Sequence, residues 1–243
     1  MSYNKIYGLA IIPAKTDSTR LKKKNLRTIA GKTLVEHSIL YAKQSNYIND
    51  IVITSNDEEV KKLAQQYNCT FYWRDTEYMG EREVADVYVN VFQNDFKDNG
   101  EWRIPQLTTH VVGIQPDHPD RTVPLDKLFE YFVDNKYDDL VTVDNQGTRN
   151  GSVRILKAED VMRGMISRRV GSYYDPATNI HSEDDLLKAE QNLLGTSFPH
   201  NFDEEERNNR MDIIGQNGPT GAHYEEEEGD EGMYPWHNQE EEG

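Results

Sequence analysis

Between Ala10 and Leu26 the chain reads AIIPAKTDSTRLKKKNL. An apolar run ends at Pro13, a hydroxyl-rich turn follows, and Lys15, Arg20, Lys22, Lys23 and Lys24 fall within one short stretch. Cations behind a strand suit phosphate. Arginine forks onto two oxygens, while lysine acts as a compact charge. Ser18 and nearby backbone N–H groups could complete a cradle. The competing reading is a solvated basic turn. Other chemistries find less in the sequence. Ser18 lacks the Gly-x-Ser-x-Gly elbow of a hydrolase nucleophile. No G-x-G-x-x-G opens the first helix, which argues against a dinucleotide cofactor. The seven His residues are scattered, and none pairs at metal spacing with Cys69 or another His.

The charge around this stretch is uneven. The 243 residues carry a net charge of -16. Residues 197–243 hold fourteen acidic and two basic residues, a net of -12, which leaves -4 for residues 1–196. Residues 1–43 hold nine Lys or Arg against Asp17 and Glu36, a net of +7. The segment 197–243 is broken by Gly and Pro and shows little periodicity. It buries too little apolar area to offset its ordering entropy, so a solvated tail is expected. MYPWH places Met233, Tyr234 and Trp236 between acidic flanks, which fits a short arm for a protein partner. Acidic runs repel nucleic acid, so no nucleic-acid partner is expected. One cysteine excludes an internal disulfide framework. No stretch approaches the roughly 18 apolar residues of a membrane span, and the start of the chain is polar. A soluble protein of the cytoplasm is expected, with no membrane partner.

The elements that must position the cations alternate in type. Tyr7–Ile12, Asp50–Thr54, Thr70–Trp73, Thr109–Gln115 and Leu140–Val143 are short apolar runs of strand length. Between them lie helical patterns. Thr33 and Glu36 have capping-box spacing before a helix whose inward face is Leu34, Val35, Ser38, Ile39 and Ala42. SNDEEVKKLAQQYN repeats apolar residues at helical spacing, as do Glu81–Phe96 and Leu125–Asp134. Strands alternating with helices imply an α/β fold with a doubly wound, mostly parallel sheet. Ligands of such sheets sit beyond the carboxyl ends of the strands, which is where the basic stretch falls. Cys69 is expected to be a small residue of the core.

The residues resemble a family. Pro13, Ala14, Lys15, Ser18, Arg20, Lys24 and Asn25 follow the P-A-R-x-G-S-x-R-x-x-x-K-N signature of cytidylyltransferases that activate acylneuraminate and keto-deoxy-octulosonate sugar acids. Gly31–Leu34, Asp50–Val60, Arg74, the G-E-R-E-V stretch at 80–84 and Ile114–Arg121 are similar to later family segments, in order. Asn150-Gly151 and Asn179–Glu190 continue the likeness to about residue 194. The resemblance implies a Rossmann-like fold of the nucleotide-diphospho-sugar transferase type over 1–196, followed by the tail at 197–243. It implies transfer of CMP from CTP to a sugar acid with release of pyrophosphate. Arg20 and Lys24 match the catalytic phosphate-binding positions. Pro13, Ala14, Lys15, Ser18, Asn25, Arg74, Gln115 and Arg121 match nucleotide-binding positions. The resemblance further implies Mg2+ and a homodimer.

The departures are informative. Lys15 replaces an Arg of the signature, keeping the charge and losing the fork. Asp17 replaces Gly, and a carboxylate 4 Å from a phosphate charge costs about 1 kcal/mol in water and about 4 at an effective dielectric of 20. The family's metal-holding D-x-D is here Asn179-Ile180-His181. Magnesium prefers carboxylate oxygens. Asp117, Asp175 and His181 are the residues expected to rebuild a metal site, while Asp184 and Asp185 read as first-turn residues of a helix. Only Asp144–Arg149 separates the fifth strand from Asn150-Gly151, where relatives carry several tens of residues. An active enzyme is favoured. The alternatives are a catalytically lapsed fold acting as an interaction module through its tail, and a nucleotide-binding regulator.

Overall fold

The computed structural model describes residues 6–15, 21–74, 84–94, 108–163 and 169–195, with the backbone alone at 84, 85, 93 and 94. The acidic segment 197–243 and the G-E-R-E stretch at 80–83 lie outside the described residues.

In chain order the main elements are β1 (Gly8–Pro13), β2 (Thr28–Ile29), β3 (Lys32–Thr33), α1 (Leu34–Lys43), β4 (Ile48–Ser55), α2 (Glu58–Gln66), β5 (Thr70–Trp73) and α3 (Val84–Asn94). Then follow β6 (His110–Ile114), α4 (Leu125–Asp134), β7 (Asp139–Val143), β8 (Arg149–Lys157), α5 (Ala158–Arg163), β9 (Val170–Tyr174) and α6 (Glu183–Leu193). Seven strands form one sheet in the order β5-β4-β1-β6-β8-β7-β9. β1 pairs in parallel with β4 and with β6, β4 with β5, and β7 with β9. The chain winds outward through β4 and β5, then crosses to the other side of β1. That reversal opens a crevice at the carboxyl ends of β1 and β6.

The expectation of a mostly parallel sheet holds, with one strand unforeseen. β8 runs antiparallel to both β6 and β7. A tight turn makes this possible. Asp144 Oδ1 accepts from the N–H groups of Gln146 and Thr148, both at 2.9 Å, and Gly147 takes φ 78°. The short connection at 144–148 is therefore a hairpin, which reverses direction where a longer insertion would have room to wander.

Alternation along β1 builds two cores. Ala10 and Ile12 face α1, α2 and α4, packing with Val35, Ile39, Val60, Leu128 and Phe129. Leu9 and Ile11 face α3 and α5, packing with Val87, Tyr88, Val91 and Val161. Gly113 on β6 is needed there, because a Cβ would collide with the Tyr88 ring. Val87, Tyr88, Val91 and Phe92 of α3 are buried. Cys69 is half-buried against the first core. The capping box is present: Thr33 Oγ1 accepts from Glu36 N at 3.2 Å, and Glu36 Oε2 accepts from Thr33 N at 2.7 Å.

A third, smaller core joins the two ends of the described chain. Leu21, Ile29 and Leu34 pack with Ile180, Leu186 and Ala189 of the α6 region. Arg27 forks onto Glu183 with bonds of 2.7 and 2.6 Å. Glu190 accepts from Ala30 N at 2.8 Å. Asp185 caps α6 through Ser182, which is the helix-start role expected of it. Among the described residues no helix is long and apolar enough to cross a membrane.

Candidate functional site

The carboxyl edge of β1, β4 and β5 is held by backbone. Ala14 is fully buried, its N–H donates to Thr54 O at 2.9 Å, and its carbonyl accepts from Ser55 Oγ at 2.7 Å. Asn25, buried on the 3-10 turn Lys24–Leu26, donates from Nδ2 to Lys15 O at 2.6 Å. That bond ties together the two ends of the basic loop. Arg74 leaves β5 beside the same place, with its N–H on Ser55 O at 2.9 Å and Nη2 3.4 Å from Thr54 O. Pro13, Ala14, Lys15, Asn25 and Arg74 are thus brought to one corner. Asp17, Ser18 and Arg20 lie outside the described residues.

Lys24 crosses to the other side of the crevice. Its Nζ donates to Asp117 Oδ2 at 2.9 Å and to Ile180 O at 3.1 Å. An ammonium has three N–H donors, so among the described residues one remains for a ligand oxygen. Asp117 Oδ1 meets His118 Nδ1 at 3.1 Å. Burial opposes ionisation of Asp117, but the His118 and Lys24 partners outweigh it and hold its carboxyl well below the usual range. The pair is an internal counter-ion arrangement, which fixes where the Lys24 charge stands.

Beyond β6 the edge is knitted by side chains. Arg121 Nε donates to Ser152 Oγ at 2.9 Å, and its Nη2 donates to Ser152 O at 3.0 Å and to Gln115 O. Ser152 Oγ donates to Asp175 Oδ2 at 2.7 Å. Asn150 Nδ2 donates to Asp175 O at 2.9 Å, and its Oδ1 accepts from Thr142 Oγ1 at 2.6 Å. The Arg121 guanidinium lies 5.1 Å from the Tyr41 ring centre. Burial lowers the Arg121 pKa and raises that of Tyr41, so both deep groups are held by their neighbours rather than by water. Two of the three guanidinium nitrogens of Arg121 serve the protein, and its Nη1 is buried with no hydrogen-bond partner among the described residues. Nε and Nη2 of Arg121 are thus committed to the protein, and Nη1 is not.

The expected metal ligands are not assembled. Among the described residues no three His, Cys, Asp or Glu side chains form a group that could hold a metal ion. Asp117 gives one oxygen to Lys24 and the other to His118, and Asp175 gives its oxygens to Ser152 and to Ala177 N. The Lys24 ammonium takes the place a cation would have at Asp117. His181 is exposed at the start of α6, and its N–H donates to Asp185. Magnesium demands near-octahedral oxygen ligation. Asp117, Asp175 and His181 do not supply it, so no chemical step is assigned to a metal.

Several site residues had no sequence signal of their own. Ser152 and Asp175 are linked only because β8 runs antiparallel. Ser152 and Val153 are both buried on that strand, so no alternation in RNGSVRILK marks the serine. The Ile180 carbonyl and Tyr41 belong to backbone and helix packing, which residue types do not reveal. Asp120 is likewise structural, accepting from Thr178 N and Oγ1, both at 2.8 Å.

Comparison with known proteins bears on this geometry. A family model described as Cytidylyltransferase matches residues 9–216. A CMP-N,N'-diacetyllegionaminic acid synthase of Legionella pneumophila is 36% identical over 113 residues, covering 46% of this chain and 47% of that protein. A pseudaminic acid cytidylyltransferase of Campylobacter jejuni is 30% identical over 83 residues, 34% of each. Post-translational flagellin modification protein B of Campylobacter coli is 26% identical over 153 residues, 63% of each. The matched region thus spans about a third to two thirds of the length of these relatives. Among solved structures, a CMP:2-keto-3-deoxy-manno-octonic acid synthetase complexed with CTP superposes with TM-score 0.60 at 12% identity, covering 77% of this chain and 98% of that one. A cytidylyltransferase from Leptospira borgpetersenii superposes with TM-score 0.58 at 13% identity, covering 88% and 95%. At such identity these two likenesses establish the fold. The comparisons give no support to the interaction-module alternative.

Proposed function

Because this chain belongs to the cytidylyltransferase family, we propose that it transfers CMP from CTP to a sugar acid. A hydroxyl oxygen of the acceptor attacks the α-phosphorus. The bond from that phosphorus to the bridging oxygen breaks, pyrophosphate leaves with the electron pair, and the hydroxyl proton passes to solvent or a nearby base. Such a transfer needs positioning and neutralised charge more than covalent help. Arg20 forks onto phosphate oxygens in this reading. Lys24 supplies a point charge from its remaining N–H. Lys15, Ser18, Asn25, Arg74 and the Pro13–Ala14 backbone shape the nucleotide corner, and Gln115 faces the base or the acceptor.

The observation that supports this best is the place of Lys24. It stands at the sheet reversal, within the span matched by the family model, with its charge fixed by Asp117 and one donor left among the described residues. The acceptor class rests on the relatives, whose names concern legionaminic, pseudaminic and related sugar acids. The test is a calorimetric titration of CTP, ATP, GTP and UTP, with and without magnesium, on wild type and Arg20→Ala. CTP-selective binding lost in the variant supports the reading, and a pyrophosphate-release screen over sugar acids then names the acceptor. No binding of any nucleotide at millimolar concentration defeats it.

A further inference from the structure

The relay Arg121–Ser152–Asp175 ties three strand ends together beneath the crevice. Ser152 and Asp175 are buried, and Arg121 packs on Tyr41, whose hydroxyl donates to Val123 O at 2.8 Å. One guanidinium edge holds the carbonyls of Gln115 and Ser152 at once. Backbone supports the same joint, since Gln115 N donates to Ser152 O at 3.2 Å. Between those two residues lies Gly151 at φ +77°. A Cβ there would stand 2.5 Å from Gln115 Nε2, so the Gln115 amide rests directly over a bare Cα.

We propose that Arg121 is a positioning residue that sets the Gln115 amide over Gly151 through its Nε and Nη2. This rests on the cytidylyltransferase reading. A guanidinium holds its donors in a rigid fork, so pinning carbonyls 115 and 152 fixes the spacing of β6 and β8 where the amide emerges. Asp175 holds Ser152 in the rotamer that accepts from Arg121. The amide so fixed offers one donor group and one acceptor to a matching amide-like edge. Cytosine carries such an edge, and so does the N-acyl group of an acylated sugar acid.

The test follows the amide itself. The Gln115 side-chain resonances are assigned by NMR of the full chain with Gln115→Glu, then followed in Ser152→Ala and Arg121→Lys. Binding of CTP, inorganic triphosphate and N-acetylneuraminate is titrated in parallel. Ser152→Ala is expected to move the Gln115 amide resonances and weaken one organic probe roughly ten-fold, leaving triphosphate unchanged. The probe that weakens, CTP or N-acetylneuraminate, identifies the source of the edge. The double variant Ser152→Ala/Gln115→Ala binds no more weakly than Gln115→Ala alone, because the relay acts through that amide. Losses that multiply to roughly a hundred-fold, or resonances that stay in place in both relay variants, overturn the proposal. If no probe binds the wild type, the enzyme reading fails, and the resonances still decide the relay.

Discussion

The two halves of the carboxyl edge are built on different principles. Around β1, β4 and β5, backbone pairs with backbone and single side chains such as Ser55 donate to backbone carbonyls, and the cations extend from a loop closed by one Asn25 bond. Around β6, β8 and β9, a side-chain network holds the strands together, with Arg121, Ser152, Asn150 and Asp175 consuming one another's hydrogen bonds. Lys24 reaches from the first region to the second. In the proposed function the two halves take two tasks. A phosphate site needs charge with donors to spare, whereas a recognition site needs fixed geometry, and a satisfied buried network resists change.

Substitutions can break this contrast, and the largest effect belongs to the bridge. Lys24→Ala is expected to lower kcat/KM for CTP by about 10²–10³-fold, the usual cost of losing one charge-stabilising donor. Melting of the variant measures how much comes from leaving Asp117 without its ammonium. An unchanged kcat/KM would remove Lys24 from the phosphate site.

Next comes a control at the opposite end of the sheet. His110 begins β6, flanked edge-on by Phe129 and Phe132 at 5.3–5.8 Å. Burial, aided by Lys157, pushes its pKa down to about 4. The unfolded chain has an ordinary value near 6.5, so it takes up the proton first on acidification. Stability is therefore full above about pH 6.5 and falls as pH drops toward 4, by up to about 3 kcal/mol. Chemical denaturation across that window should show the slope, and His110→Phe should flatten it. Nucleotide affinity should not follow, since His110 lies far along β6 from the site.

A smaller effect sharpens the view of the second half. Gly151→Ala forces an L-residue to positive φ and drives a methyl into the Gln115 amide. A loss of about 1–2 kcal/mol is expected from the backbone alone. Urea unfolding measures it, and a stability equal to wild type would show that the Gln115 amide is not seated there. The smallest effect is at the surface. Lys23 meets Glu59 at 2.9 Å with both side chains about half exposed. Exposed pairs are screened and entropically costly, so Lys23→Ala should leave the melting temperature unchanged.

Much of the first half was legible in the sequence, and little of the second. β5 at Thr70–Trp73 and α4 at Leu125–Asp134 fall where their apolar patterns end. The Thr33–Glu36 capping box announces α1, because caps are local and depend on residue type. The corner of Ala14, Lys15, Asn25 and Arg74 was likewise readable, since each lies just past a strand or turn. Arg121 shows the limit. Its motif position says nothing of Ser152 on β8, which accepts from its Nε and in turn donates to Asp175 just past β9. Those contacts exist only because a five-residue connection reverses the chain, which a strand-by-strand reading does not contain. Asp117, Asp175 and His181 failed as a set for a similar reason. Residue type allowed them to bind a metal, but packing had already assigned the two carboxylates other partners.

The clasp between the two ends of the described fold governs when the site can exist. Arg27 waits for Glu183, Ala30 for Glu190 and Lys24 for the Ile180 carbonyl, each more than 150 residues downstream. At synthesis rates of about 5–20 residues per second, the basic loop leaves the ribosome roughly ten to thirty seconds before its anchors do. A nascent chain therefore spends that interval with its basic loop unmoored, and the corner around Lys24 is complete only once residues 180–190 have emerged.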